Sequence, residues 1–345
     1  MRLRRSTIDG PGIHRVRRGK GWSYVGDDGT PVDAGSRERA KALVVPPAWK
    51  GVWIAPHPNG HIQAVGTDDA GRRQYIYHDA WHEVRGREKH DRVLALAKKL
   101  PQARKQVAAE LRTDGLTRTR VTAAALRMLD AGLFRSGGDE YEVEHGSHGV
   151  ATLLRTHVTV SGDDITFEFP AKSGVTREAV MTDPLLASVV RSLKRCGYPG
   201  ERLLVYRDEQ RQWREVHSTD LNVAFKELVG PEYTVKDLRT WAATVTAAVT
   251  LAQSGVVTTE RELKRAEKDA MKVVSEHLGN TPAVARRSYV DTRVLDEFAV
   301  GRTIERSLSR LTKADRQRLV AGDLVRVRDR DALERAVMRL LARAE

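Results

Sequence analysis

The residues with most chemical capacity in this 345-residue chain are a few cations and one phenol. Tyr289 sits in SEHLGNTPAVARRSYV (275–290), behind Arg286 and Arg287 and downstream of Asn280 in an Asn-Thr-Pro turn. Read alone, such a tyrosine is a core ring with a wet hydroxyl. Three other segments change its context: Arg135 in LFRSGGDEYEVEHGSHG, Lys172 in FPAKSG and Arg239 in VKDLRTWAAT. A guanidinium grips anionic oxygens in a planar fork, an ammonium carries a movable proton, and a phenol is an oxygen nucleophile. Such a set suits chemistry on an anionic ester. Its members are far apart in the chain, so only tertiary folding brings them together.

The elements that must position them divide in two. Residues 20 to 80 are rich in Gly, Pro, Asp and aromatics, and GWSYV, GVWIAP, HIQAVG and RQYIYH read as short strands between turns. From about residue 83 the period becomes helical (Val93, Leu94, Leu96, Ala97, Leu100). One β island interrupts the helices: THVTV, ITFEF and VTREAV predict a three-stranded meander, with Lys172 in its second turn. Near the C-terminus, Asp331 and Glu334 are spaced as a capping box opening an amphipathic helix. The expected fold is α+β: a small β-rich N-terminal domain over 1–88, and a mainly helical domain over 89–345 carrying a small three-stranded sheet.

Charge selects the partner. Lys and Arg number 59 against 46 Asp and Glu, a net charge of +13, which favours a polyanion such as nucleic acid. The surplus is spread along the chain: residues 1 to 90 hold 16 basic and 10 acidic side chains, so both parts can face the same polyanion. The one cysteine, Cys196, forms no internal disulfide and no thiolate metal site, as expected of a reducing interior. MRLRRSTIDG lacks the apolar core of a signal peptide, which predicts a cytoplasmic protein. The Thr-studded WAATVTAAVTLA (241–252) predicts a buried helix with Trp241 in the core, not a membrane span. His145 and His148 lie among glycines in EHGSHG and read as turn histidines, not metal ligands. The AKS at 171–173 lacks the glycines of a phosphate-binding loop, so no nucleotide site is predicted.

The order Arg135, Lys172, Arg239, Asn280, Tyr289, with these flanks, resembles the small bacterial and poxvirus type of type IB DNA topoisomerase. The stretch PPAWKGVWIAPHPNGHIQAVGTDDAGRRQYIYH also resembles that family's DNA-clamping domain, so the resemblance covers nearly the whole chain. It implies that Tyr289 attacks a DNA phosphodiester and forms a 3′-phosphotyrosyl intermediate. Arg135 and Arg239 would stabilise the developing charge, Asn280 would add a neutral donor, and Lys172 would protonate the departing 5′ oxygen. Many relatives carry His at the position of Asn280, so here that side chain donates hydrogen bonds but cannot titrate. The resemblance also implies DNA contacts from Gln74, Tyr75 and Tyr77, to which Arg72 and Arg73 would add charge, and from Tyr141 and Lys236 beside the scissile phosphate. Expected in addition are a monomer acting on double-stranded DNA at the nucleoid, no membrane, and no cofactor, ATP or obligatory metal. Two other readings stay open: a tyrosine recombinase, which usually shows His where Lys236 stands, and a non-catalytic DNA-binding protein.

Overall fold

Short alternating segments broken by glycine and proline build the N-terminal sheet, and longer amphipathic ones build the rest. The computed structural model describes residues 2–138, 146–171, 174–320 and 330–343. Tyr141, His145 and Lys172 thus lie outside the described residues. The chain divides into two compact units, Met1–Lys89 and His90–Glu345.

In the first unit, β1 (Ile13–Arg18), β2 (Gly21–Val25), β3 (Lys50–Ile54), β4 (Ile62–Thr67) and β5 (Arg73–Tyr77) form an antiparallel sheet in the order β2-β1-β3-β4-β5. Helix α1 (Ala34–Ala42) lies between β2 and β3 in the chain. Successive strand residues face opposite sides. Val52 and Ile54 therefore join Ile13, Ala40, Val45 and Ala64 in one core, while Trp53 and Ala55 join Ile62 and Val65 in another. Strand β1 lies outside the sequence expectation because Arg15 occupies one of its inward positions. That guanidinium is buried and donates to the carbonyls of Val45 (2.8 Å), Pro46 (3.0 Å) and Trp49 (2.7 Å), which pins the loop before β3.

The helices that follow are α2 (Asp79–Leu111), α3 (Arg118–Asp130), α4 (Pro184–Arg195), α5 (Ser218–Val229), α6 (Val235–Gln253) and α7 (Glu260–Leu278). Then come α8 (Pro282–Ser288), α9 (Arg293–Ala299), α10 (Glu305–Leu308), α11 (Lys313–Val320) and α12 (Arg330–Leu341). Helix α6, which carries WAATVTAAVTLA, is the hub of the second unit, and Trp241 is in its core. Small Ala and Thr side chains let neighbouring helices approach it closely. Thr244 and Thr250 return their hydroxyls to the carbonyls of Thr240 (3.0 Å) and Thr246 (2.9 Å), so the buried hydroxyl of Thr244 and the half-buried one of Thr250 both have partners. Among the described residues no helix is long and apolar enough to cross a membrane.

The meander is present as β6 (Val158–Ser161), β7 (Asp164–Pro170) and β8 (Thr176–Thr182), in that order and antiparallel. A further ribbon pairs β9 (Val205–Arg207) with β10 (Trp213–Glu215). Ile165, Phe167 and Phe169 point inward from β7, and Phe134 packs on the last two, with ring centroids 4.9 and 5.9 Å apart. Phe134 immediately precedes Arg135, so this aromatic cluster anchors the backbone from which Arg135 projects.

The predicted capping box is corrected. Helix α12 begins at Arg330, Asp331 lies within its first turn and accepts from Arg104 (2.8 Å), and Glu334 accepts from Arg104 (2.8 Å) and Arg330 (2.7 Å). Two arginines drawn into the interior need anionic partners more than the helix start needs a cap.

Candidate active site

The segment LGNTPAVARRSY folds by rules visible in its own letters. Gly279 ends α7 in the left-handed conformation (φ 61°), and the Asn280 amide returns to the Ser275 carbonyl at 2.9 Å. A side chain at 279 would be strained there, and its Cβ would stand only 3.0 Å from Arg177 Nη1. Thr281 then caps α8 by accepting from Val284 N (3.3 Å), and Pro282 takes the first helical position, where no amide is needed. Tyr289 follows the last residue of this short helix, half-buried, with its amide on the Ala285 carbonyl (3.0 Å). Asn280 and Tyr289 thus flank about two turns of helix. Arg286 leaves the group, since it pairs with Glu267 of α7 at 2.8 Å.

Arg135 and Arg239 reach the same place from elsewhere in the chain. Arg135 Nη2 donates to Asn280 Oδ1 (2.6 Å) and to the Gly279 carbonyl (3.1 Å). Its own backbone is held by Val150 N on the Arg135 carbonyl (2.9 Å), and Gly149 runs so close that an added Cβ would lie 2.4 Å from Gly137 N. The glycines of SGGDEYEVEHGSHG therefore let two backbone segments touch beside Arg135. His148 serves the same region structurally, with Nδ1 2.7 Å from the Thr152 carbonyl and its amide on Pro170 at 2.8 Å.

Arg239, on α6, is 3 % exposed and bridges two helix ends: Nη1 to the Gly132 carbonyl beyond α3 (2.9 Å) and Nη2 to the Leu278 carbonyl of α7 (2.7 Å). Its Cζ lies 5.6 Å from the centroid of the Tyr289 ring. Burial, then the neighbouring Arg135, pull its pKa down to about 10, and Tyr289 opposes that drop. A guanidinium is retained as a cation at neutral pH even so. His277 lies beneath this cluster with Nε2 3.1 Å from the Ala131 carbonyl, and burial, reinforced by Arg177 and Arg239, lowers its pKa to about 4. It is a neutral imidazole whose Nε2–H donates to that carbonyl.

Arg135, Asn280 and Tyr289 line one solvent-open pocket of about 620 Å³, with Arg239 buried behind the tyrosine. Ala171 and Val175, which lie on either side of Lys172 in the chain, line it as well. Among the described residues, Arg239 Nε and Asn280 Nδ2 are buried donors with no acceptor. Such donors cost about 1–3 kcal/mol each when left unmade, so a folded protein keeps them for a reason.

The family model "Eukaryotic DNA topoisomerase I, catalytic core" matches residues 78–314, and "Bacterial DNA topoisomerase IB, N-terminal domain" matches residues 21–68. DNA topoisomerase 1B of Acanthamoeba polyphaga mimivirus is 30% identical over 295 residues, covering 83% of this chain and 87% of that protein. The chain belongs to the type IB DNA topoisomerases. DNA topoisomerase 1B of vaccinia virus (strain Copenhagen) is 23% identical over 238 residues, 67% of this chain and 71% of its own length. Membership makes the protein a DNA topoisomerase, an enzyme of the isomerase class acting on DNA, in preference to the recombinase and non-catalytic readings.

The remaining predicted residues of this type IB topoisomerase fall in two places. On edge strand β5, Tyr75 is 38 % exposed and stacks on Tyr77 with centroids 5.9 Å apart. Arg73 is exposed, whereas Arg72 and Gln74 both bind Asp68, at 3.1 and 2.9 Å. Lys236 is exposed in the first turn of α6, one turn before Arg239. Two residues of the site escaped the sequence reading, His277 and Arg177. The signal for Arg177 is its register: on β8 it shares the inward face with Ala179 and Met181, an odd position for a cation.

Proposed function

We propose that the topoisomerase relaxes positive and negative supercoils through a transient 3′-phosphotyrosyl bond to Tyr289. The Tyr289 oxygen attacks the scissile phosphorus and loses its proton to water. The bond from phosphorus to the 5′ oxygen breaks, and that oxygen takes up a proton from Lys172. Strand rotation and reversal of the same steps reseal the duplex. One ester replaces another, so resealing needs no ATP, and the guanidiniums supply the charge stabilisation for which a metal would otherwise be used.

The observation that supports this most is the meeting of Arg135 and Asn280 at 2.6 Å in the pocket that Tyr289 lines, with Arg239 5.6 Å behind the ring. Arg135 and Arg239 would hold the non-bridging oxygens, and the idle Asn280 Nδ2 and Arg239 Nε would donate to them. Lys236, Tyr141, Arg72 and the β5 residues Arg73, Gln74, Tyr75 and Tyr77 are proposed DNA contacts, and the enzyme is proposed to act as a monomer at the nucleoid.

The test is denaturing-gel detection of a protein–DNA adduct on supercoiled plasmid in EDTA without ATP. Wild type is expected to form the adduct and relax the plasmid, and Tyr289→Phe to bind DNA but do neither. Relaxation by that variant would remove Tyr289 from the reaction. Lys172→Ala is expected to slow cleavage of an ordinary strand far more than that of a strand with a 5′-sulfur leaving group, which needs little protonation.

A further inference from the structure

Three arginines from separate elements end on four successive carbonyls at the C-terminal end of α7. Arg177 of β8 donates from Nη1 to Glu276 O (2.8 Å) and from Nη2 to His277 O. Arg239 of α6 takes Leu278 O (2.7 Å), and Arg135 takes Gly279 O (3.1 Å). The last carbonyls of a helix have no partners inside it, and the helix dipole makes that end attractive to cations. Here the vacancy is filled by guanidiniums, two of which are proposed to act on the phosphoryl group. The helix end is thus the jig on which Arg135 and Arg239 are set.

Arg177 differs from the other two. Both of its terminal nitrogens are spent on the helix, and its Nε is buried without an acceptor. Burial, then the nearby Arg135, lower its pKa. A cation is kept there against desolvation and against a like charge. Packing alone would put an apolar residue at this inward strand position, as at Ala179 and Met181.

We propose that Arg177 is a positioning residue for the topoisomerase reaction: by clamping Glu276 O and His277 O to the meander, it fixes the turn on which Arg135, Arg239 and Asn280 are aligned. The clamp ties β8 to the end of α7. Without it two carbonyls are released, the helix end frays, and Gly279 and Asn280 move relative to Arg135. Misplacement of catalytic groups by about 1 Å can cost ~10²-fold in rate. This inference rests on the phosphoryl-transfer reading of the pocket.

The experiment is single-turnover cleavage of a DNA duplex by Arg177→Ala, Arg177→Lys, Arg135→Ala and the Arg135→Ala/Arg177→Ala double variant. Duplex affinity is measured for each variant in a Tyr289→Phe background, and thermal midpoints are taken in parallel. Arg177→Ala is expected to cleave ~10²-fold more slowly with duplex affinity unchanged. Arg177→Lys keeps charge and stem but cannot fork onto two carbonyls, so it is expected to remain at least ~10-fold slow. Because part of the effect of Arg177 runs through Arg135, the double variant is expected to lose clearly less than the product of the two single losses. Wild-type cleavage by Arg177→Lys overturns the proposal even if Arg177→Ala fails to fold. So does a double variant whose loss equals the product of the two single losses. Absence of an adduct with the wild-type enzyme would instead sink the reading of the pocket, which keeps the two failures apart.

Discussion

At the scale of single residues, the site is governed by where buried donors find acceptors. Arg239 spends its two terminal nitrogens on the carbonyls of Gly132 and Leu278 and keeps Nε idle, a pattern an ammonium cannot imitate. Arg239→Lys is therefore expected to lower the cleavage rate by ~10²–10³, the range for losing a preorganised donor, as measured by single-turnover assays. His277 makes a different prediction. Its folded pKa, about 4, lies below the usual 6.5, so the unfolded chain binds its proton first as pH falls. The stability it contributes is complete above about pH 6.5 and is lost as pH drops towards 4, by roughly 3 kcal/mol in all. Urea unfolding at pH 4.5 and pH 7 should show this loss in the wild type and a smaller one in His277→Gln.

At the scale of elements, the ends of helices decide the architecture of the pocket. The C-terminal end of α3 presents the carbonyls of Asp130, Ala131 and Gly132, and these accept from Arg330 (3.0 Å), His277 (3.1 Å) and Arg239 (2.9 Å). Helix α12 is tied in by the same device: the Asp130 carboxylate receives Arg104 (2.9 Å) and Arg330 (2.9 Å), and Glu334 receives both as well. Burial pushes the Asp130 and Glu334 carboxyls up, but the two arginines hold both below the ordinary carboxylate range. Removing one member leaves buried charge unpaired, so Asp130→Ala is expected to cost about 3–5 kcal/mol in urea unfolding at pH 7. The carboxylate contribution is present above the ordinary carboxylate pKa and is lost on acidification below it, so the cost of Asp130→Ala should shrink in acid.

At the scale of the whole molecule, a net charge of +13 and a polyanionic substrate make salt the natural variable. Each phosphate contact removed should reduce the slope of log affinity against log salt by about 1. Arg73 is exposed, while Arg72 is already engaged by Asp68. If β5 faces DNA as proposed, Arg73→Ala in the Tyr289→Phe background should flatten that slope by about 1, and Arg72→Ala by less. Equal slopes for Arg73→Ala and its parent would remove β5 from the interface.

What the chain by itself determined is local. Alternation marked GWSYV and the three-stranded meander, apolar spacing marked the long helices, and Gly279, Thr281 and Pro282 announced a helix stop and restart just before Tyr289. The order of cations, amide and phenol named the family. Strand β1 was hidden because Arg15 on its inward face interrupts the apolar alternation that announces a strand, whereas β8 was legible as a strand and only the use made of its inward Arg177 was not. Those guanidiniums are tolerated because distant backbone carbonyls receive them, at residues 45 to 49 in one case and 276 to 277 in the other. The meeting of Arg135, Arg239, Asn280 and Tyr289 around the end of α7 was likewise settled only in three dimensions. A carbonyl without a partner is a property of a folded helix end, and no pattern of letters records which remote side chain will fill it.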